Sequence, residues 1–169
     1  MLYDGMLDYG ASLAMVREYV SDPDACVNIV AGTRWPHGVR CVRCHSKQVS
    51  FISTRSTWNC LKCRKQFSVR VGTALEKSQV PISKWLTAIW IMANSRERVT
   101  SYNLSRTLEI NQRSAWRLKT RIGNALPAER PKSLSRKTTV PIPGYQGFRW
   151  LLRHVVRESK NGASVAPGI

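Results

Sequence analysis

The feature that most constrains this chain is a pair of Cys-x-x-Cys motifs, Cys41 with Cys44 and Cys60 with Cys63, separated by fifteen residues. A two-residue spacer lets both sulfurs of a motif face one ion, and fifteen residues suffice for a β-hairpin that brings the motifs together. The spacing predicts one structural zinc ion held by four thiolates about 2.3 Å away, with no open position for a substrate. Two disulfides are the alternative, but no secretory signal precedes the cysteines.

Two further residues have side chains that bind zinc in other proteins. Cys26 is the odd cysteine, and we expect it to be a small core residue because four sulfurs already complete the site. His37 is an alternative ligand that would replace one cysteine. Reduced cysteines indicate a cytosolic protein.

Charge restricts the partners of the chain. It has 27 Lys and Arg against 10 Asp and Glu, a formal net charge of +17. Residues 1–31 contain five acids and one base, so the excess of bases lies in the remainder. A field this positive points to a polyanion, and nucleic acid is the polyanion we expect; an ordinary solvated surface is the alternative. The longest run free of charged and amide side chains, residues 85–93, is too short to span a membrane.

Two short helices are predicted before the cysteines. Residues 12–20 have apolar side chains at helical spacing. In the second helix Asp22 suits the N-cap, Pro23 the first position and Gly32 the end. The residues expected on its buried side are Cys26, Ile29 and Val30.

The zinc-binding region reads as a small ribbon of strands. Residues 49–54 alternate as in a strand, Thr57 and Trp58 return to the second motif, and residues 66–71 form a third strand, with Trp35 as a lid. Four bases adjoin the cysteines and either contact phosphate or neutralise the zinc–thiolate dianion: Arg43, Lys62, Arg64 and Lys65.

From residue 81 the apolar period becomes helical. A helix over residues 82–93 carries a wide apolar stripe and is expected to be buried on most sides. The residues that follow have the layout of a helix-turn-helix: a short helix to Leu108, a turn over residues 109–111 and a second helix from Gln112 to about Leu126. Asn111 is the predicted cap of the second helix.

The predicted recognition helix carries the DNA-binding candidates. The amino-terminal residues of such a helix reach base edges, which assigns Gln112, Arg113 and Arg117 to bases. Lys119 and Arg121 suit phosphates, and Thr120 shares the outer face. A plain three-helix bundle with a solvated basic surface is the alternative.

Several stretches together resemble a bacterial insertion-sequence transposase family. They are RWP at 34–36, the two cysteine motifs, RKQFSVR at 64–70, KWL at 84–86 and SAWRL at 114–118. The likeness covers roughly residues 21–126. It implies an amino-terminal zinc ribbon and helix-turn-helix that bind the terminal inverted repeats, followed by a ribonuclease-H-like domain that cuts and joins DNA with a metal-binding acidic triad.

The chain departs from this family in two places. Glu109 stands at the helix-turn-helix corner where the family usually has glycine, so either its backbone adopts a positive φ or the turn differs. Only 43 residues follow Leu126, and Glu129 and Glu158 are the only acids among them. Because two-metal phosphoryl transfer needs clustered carboxylates, we expect no catalytic activity from this chain alone.

The carboxyl-terminal residues 127–169 contain five of the eight prolines. Their first part is predicted to be a flexible basic linker. Residues 148–156 then have apolar side chains at helical spacing beside a row of arginines. Such a helix can dock on the bundle, meet a partner or lie along DNA, and a remnant of a truncated or frameshifted gene is the further alternative.

The sequence therefore predicts an α+β protein, mostly α, in four segments: helices over 1–38, a four-cysteine zinc ribbon over 39–73, a helix-turn-helix over 80–126 and a tail over 127–169. We expect a cytoplasmic, nucleoid-associated protein with one structural Zn²⁺ that binds duplex DNA and no membrane. Its further partners would be a full-length transposase or a second copy. The alternatives are a transposase subunit completed in trans and a zinc-ribbon regulator or RNA-binding adaptor.

Overall fold

The computed structural model describes residues 13–95, 99–126 and 145–157. Within these residues the chain forms helices and one three-stranded antiparallel sheet, which confirms the predicted α+β class with helix predominating. In chain order the elements are α1 (Leu13–Tyr19), α2 (Pro23–Arg34), β1 (Val49–Ile52), β2 (Thr57–Cys60), β3 (Gln66–Phe67), α3 (Ile82–Asn94), α4 (Ser101–Leu108), α5 (Gln112–Ala125) and α6 (Tyr145–Val156). No helix in this part of the chain is long and apolar enough to cross a bilayer.

Helix α2 begins where the sequence predicts and ends later. The Asp22 carboxylate accepts hydrogen bonds from two backbone N–H groups of the first turn, at 3.0 and 3.2 Å, and Pro23 is the first helical residue. The predicted end at Gly32 is wrong, because the helix continues to Arg34. Arg34 Nη1 donates a hydrogen bond to the carbonyl of Val69 at 2.9 Å, a contact with a distant segment that local glycine chemistry does not reveal.

The sheet has the order β1-β2-β3, and its third strand is shorter than predicted. Val49 pairs with Cys60 and Trp58 pairs with Phe67, so the second cysteine motif begins at the last residue of β2, whereas the first motif precedes β1. The third strand stops at Phe67 instead of residue 71, because the chain turns there: the Val71 N–H donates to the Ser68 carbonyl at 3.3 Å. The first strand likewise gives way to a 3-10 turn over Ser53–Arg55.

Helix α3 is the centre of the core. It contacts α1, α2, α4, α5 and α6, and most of its side chains are buried, as its wide apolar stripe predicts. Trp85, Leu86 and Ile89 are among the largest fully buried side chains of the protein. Because burial of each such side chain stabilises the fold by about 1.5–3 kcal/mol, α3 supplies much of the hydrophobic free energy.

Helices α4 and α5 pack closely across a three-residue connection. The Thr100 and Asn111 side chains cap the two helices, each accepting a hydrogen bond from the N–H three residues later, at 3.1 and 2.7 Å. Glu109 adopts φ 52° and ψ 50°, which is the left-handed conformation. Of the two alternatives stated for this corner, a positive φ or a different turn, the structure therefore shows the positive φ. Leu104 and Leu118 are buried between the two helices and the core.

Helix α6 packs on the rest of the molecule through its apolar face. It contacts α2, α3 and α5, and its buried residues are Phe148, Leu151, Leu152, Val155 and Val156. The Trp90 and Phe148 rings are 5.8 Å apart, and the Ala74 N–H donates to the Val155 carbonyl at 3.1 Å. The sequence left three alternatives for this helix: docking on the bundle, a partner or DNA. The structure shows that it docks on the bundle. The linker predicted before it lies outside the described residues, and the division into four segments stays a prediction.

Candidate metal centre and nucleic-acid interface

The four motif cysteines converge on one point. Their sulfur atoms all lie within 4.8 Å of one another. The Cys41 and Cys63 sulfurs are 3.6 Å apart, and those of Cys44 and Cys60 are 3.5 Å apart. A tetrahedron with zinc–sulfur bonds of about 2.3 Å has edges of about 3.8 Å, so the sulfurs fit one Zn²⁺. The predicted structural zinc site is confirmed, and His37 lies outside the cluster.

The backbone of each motif forms the same tight turn. His45 directly follows the first motif with φ 55°, and Arg64 directly follows the second with φ 53°. The Arg43 N–H points to the Cys41 sulfur at 3.4 Å, and the Cys63 N–H points to the Cys60 sulfur at 3.5 Å. Such N–H groups stabilise negative charge on sulfur. The two turns thus place donors where a dianionic zinc–thiolate centre needs them.

Hydrogen bonds shift the pKa values of two cysteines in opposite directions. The N–H of Cys63 lowers the pKa of Cys60 to about 6. The N–H of Ser46 lowers the pKa of Cys44, but desolvation and hydrogen bonds with the other thiols outweigh it and raise that pKa to about 11. Zinc binds cysteines as thiolates, so the four motif cysteines would release their remaining protons if they held the ion.

Cys26 has the environment of a core residue. It is buried, and its sulfur donates to the Val20 carbonyl at 3.2 Å. Burial, followed by the charge of Asp22, raises its pKa to about 11. Of its two predicted neighbours on this face, Val30 is buried and Ile29 is half-buried. The interpretation of Cys26 as a core residue is therefore confirmed.

An aromatic cluster joins the ribbon to α2. The Trp35 ring lies edge-on to Trp58 and Phe67, with centroids 5.6 and 6.1 Å away. The Arg34 guanidinium lies over the Trp35 ring, 4.6 Å from its centroid. Trp35 is the predicted lid of the ribbon. Because it directly follows α2, the position of the zinc centre is coupled to the helical core.

The predicted DNA-binding residues fall into two groups on separate elements. Arg64 and Lys65 are exposed directly after the second cysteine motif. Lys62 within that motif and Arg43 within the first motif are also exposed. On α5, Gln112, Arg113 and Arg117 are exposed, whereas Lys119 and Thr120 are half-buried. Opposite them, Ala115, Leu118 and Ile122 are buried against the core. Contacts within the chain do not show which of these basic side chains bind DNA, so their roles stay predictions.

Arg121 differs from the rest of this set. Its Nη1 donates to the carbonyl of Glu76 at 2.7 Å and lies 3.4 Å from that of Ala74. The guanidinium therefore connects α5 to the segment between β3 and α3. These hydrogen bonds compete with the phosphate contact that the sequence predicts for Arg121.

The structure also identifies exposed aromatic residues that were not among the candidates. Trp116 on α5 is 58% exposed, and Tyr102 on α4 is 54% exposed. The Arg106 guanidinium covers the Tyr102 ring at 5.7 Å and donates to its hydroxyl at 2.8 Å. The signal that could have found Trp116 is its place between two arginines on the polar face of α5.

Comparisons with known proteins match the zinc centre and its surroundings. Residues 21–66 match the family model of the transposase zinc-ribbon domain. The chain is 27% identical over 119 residues to a protein in the transposable element ISH50 of Halobacterium salinarum, a match that covers 69% of this chain and 40% of that protein. The chain thus spans about two fifths of this relative. No solved structure is significantly similar to the chain. The resemblance to insertion-sequence transposases is confirmed by the zinc-ribbon match over residues 21–66 and by the relative in a transposable element.

Proposed function

We propose that this chain is the DNA-binding portion of an insertion-sequence transposase. It binds duplex DNA at the terminal inverted repeats of the element and does not cut it, in the cytoplasm where the nucleoid lies. The observation that carries the proposal is the outer face of α5, where exposed Arg113 and Arg117 lie opposite a fully buried inner face. The zinc-ribbon match and the relative in a transposable element support the transposase context.

The arrangement of α4 and α5 supports a helix-turn-helix mode of binding. In that mode the first turns of the second helix enter the major groove and reach base edges. Gln112, Arg113 and Arg117 lie in those turns, and an arginine can donate two hydrogen bonds to a guanine. Lys119 and Thr120 lie farther along α5, where contacts with phosphates add affinity without sequence information.

The ribbon supplies a second, weaker set of contacts. Arg64 and Lys65 are exposed and adjoin the Cys60–Cys63 turn. In the proposal they contact phosphates while partly neutralising the zinc–thiolate dianion, so their removal lowers DNA affinity on all sequences. We expect the Arg64→Ala, Lys65→Ala double variant to retain zinc, which metal analysis of the purified variant checks.

The test compares Arg117→Ala with Lys119→Ala on a duplex carrying a terminal repeat and on a shuffled duplex. Arg117→Ala is expected to lose about 1–3 kcal/mol of binding free energy on the repeat and much less on the shuffled duplex. Lys119→Ala is expected to weaken both alike. Equal losses for the two variants on both duplexes would contradict the assignment of α5 as the recognition helix.

Salt and RNA complete the test. With about 6–10 phosphates contacted, affinity falls about 10³–10⁵-fold between 50 and 200 mM salt. Structured RNA is offered as competitor at equal concentration, and a preference for RNA would replace this proposal with the adaptor function. Metal-dependent cleavage of repeat DNA by the purified chain would contradict the non-catalytic part of the proposal.

A further inference from the structure

Trp116 lies on the side of α5 that faces away from the core formed by the described residues. Residues 113, 116, 117 and 120 share one side of the helix, since 3.6 residues make a turn. The opposite side, formed by Ala115, Leu118 and Ile122, is buried at 1% exposure or less. Trp116 therefore points away from the core and lies between two exposed arginines.

The exposure of Trp116 is unusual within this protein. Its six tryptophans are all described, and the other five are buried or half-buried. Trp58 and Trp90 each pack on another ring, and the Trp85 indole N–H donates to a serine hydroxyl. With more than half of its side chain exposed, Trp116 leaves about 100 Å² of largely apolar surface in water. Tryptophan is enriched at interfaces, and one exposed within a basic face suits a partner that offers both negative charge and an apolar group.

We propose that the Trp116 indole contacts the C5-methyl group of a thymine in the major groove. This inference rests on the proposed function and deepens it, because it assigns a base-reading role to a residue outside the arginine set. Thymine presents the one methyl group in the major groove, and apolar side chains recognise it. Arg113 and Arg117, which lie one turn apart beside Trp116, would hold the neighbouring bases or phosphates.

Charge favours DNA over a second copy of the chain as the occupant. If two copies met through this face, they would bring Arg113 and Arg117 of each copy together around the two indoles. Like charges in contact destabilise an interface. A duplex instead offers phosphates to the arginines and a methyl group to the ring.

The experiment replaces thymine by uracil, which removes only the methyl group. A duplex is first selected from a random pool by the full chain loaded with zinc. Each thymine of the selected duplex is then replaced in turn. At one position the wild-type affinity is expected to fall about fourfold, the value of one buried methyl group. Trp116→Ala is expected to bind the thymine and uracil duplexes equally, while Trp116→Phe keeps part of the difference.

Leu61→Ala is the matched control, because Leu61 in the ribbon is also 58% exposed. It is expected to keep the full thymine–uracil difference. If Trp116→Ala keeps that difference while wild-type protein still binds duplex DNA with steep salt dependence, the inference is overturned and the proposed function stands. Absence of duplex binding by the wild type would overturn both. A shift of Trp116→Ala from dimer to monomer in sedimentation, with the methyl effect intact, would identify a second copy as the occupant and overturn the inference.

Discussion

Glu109 has a backbone conformation that an L-residue rarely adopts. It ends α4 with φ 52°, and its exposed side chain lies at the carboxyl end of that helix, where the helix dipole disfavours negative charge. Its carbonyl accepts a hydrogen bond from Lys84 Nζ at 3.1 Å, and the Ile110 N–H donates to the Ser105 carbonyl at 3.1 Å. The surrounding contacts therefore hold a conformation that costs about 1 kcal/mol for a residue with a Cβ.

We expect Glu109→Gly to raise the free energy of unfolding by about 1 kcal/mol, because glycine adopts positive φ without a Cβ clash. Urea unfolding followed by circular dichroism measures this change. Glu109→Gln is the control, since it removes the charge and keeps the Cβ, and it is expected to give less than half of the gain. A less stable glycine variant would show that the corner is not strained.

Cys26 links stability to alkaline pH. Its folded-state pKa is about 11, against an ordinary value of 9.0, because burial and Asp22 disfavour the thiolate. The folded protein therefore keeps this proton over a pH range in which the unfolded chain loses it. Where the folded state binds more protons, stability falls as pH rises.

The stability advantage of the wild type over Cys26→Ala is accordingly expected to shrink as pH rises from about 8 to about 11. The measurement is the free energy of unfolding of both proteins at each pH. Subtracting the value of Cys26→Ala from that of the wild type cancels the contribution of lysines and tyrosines, which titrate alike in both proteins. A difference independent of pH would contradict the burial of the Cys26 thiol.

At the scale of elements, α6 completes the core although it follows a long interval of chain. Leu151 is fully buried between α6 and its neighbours, and Arg153, two residues on, is exposed. The helix covers α3 beside Trp90 and accepts a backbone hydrogen bond at its carboxyl end from Ala74. It therefore stabilises both the helical core and the segment that follows the ribbon.

Leu151→Ala is expected to destabilise the protein by about 2–5 kcal/mol, the usual cost of such a truncation in a packed core. Arg153→Ala, on the exposed side of the same helix, is expected to change stability by no more than about 0.5 kcal/mol. Thermal unfolding by calorimetry compares them. Equal melting temperatures for the two variants would show that α6 does not stabilise the core.

The elements that the sequence predicted well depend on neighbouring residues. The start of α2 follows from Asp22 and Pro23, and the start of α5 follows from Asn111, because a cap bonds to N–H groups within three residues. The zinc site follows from the spacing within and between two short motifs.

The features that the sequence did not predict depend on distant partners. Helix α2 continues past Gly32 to Arg34, which contacts the distant Val69, and beyond the turn that ends the third strand Arg70 Nη1 donates to the carbonyls of Ser78 and Val80 at 2.6 and 3.2 Å. The two arginines around Trp116 indicate the polar face of α5, but the exposed fraction of Trp116 depends on where α5 lies relative to α3 and α4. Residue types and spacing do not contain these long-range contacts.

At the scale of the whole molecule, the zinc centre and the helical core meet at Trp35. The buried aromatic rings Trp58 and Phe67 pack on each other and on Trp35, within the ribbon that the four sulfurs close. Small zinc-binding units commonly fold only with their metal. Cys41 and Cys60 are buried in the same apolar cluster as the helices, but α3 to α6 also pack directly on one another, so we expect these helices to persist without zinc.

Chelation of zinc is therefore expected to remove the near-ultraviolet signal of the ribbon tryptophans, keep most helical signal and weaken DNA binding. The purified protein should contain one zinc ion per chain, and Cys60→Ser should contain much less. Cys26→Ala serves as control and keeps the metal. Unchanged tryptophan signals and DNA affinity after complete chelation would contradict the structural role of the centre.

The late position of α6 along the chain has a consequence for synthesis on the ribosome. A nascent polypeptide that has just released α5 already bears Arg113 and Arg117, yet the apolar surface around Trp90 still lacks its cover. Exposed apolar surface of this kind attracts chaperones and proteases. We therefore expect the complete fold to form only after translation has passed Val156.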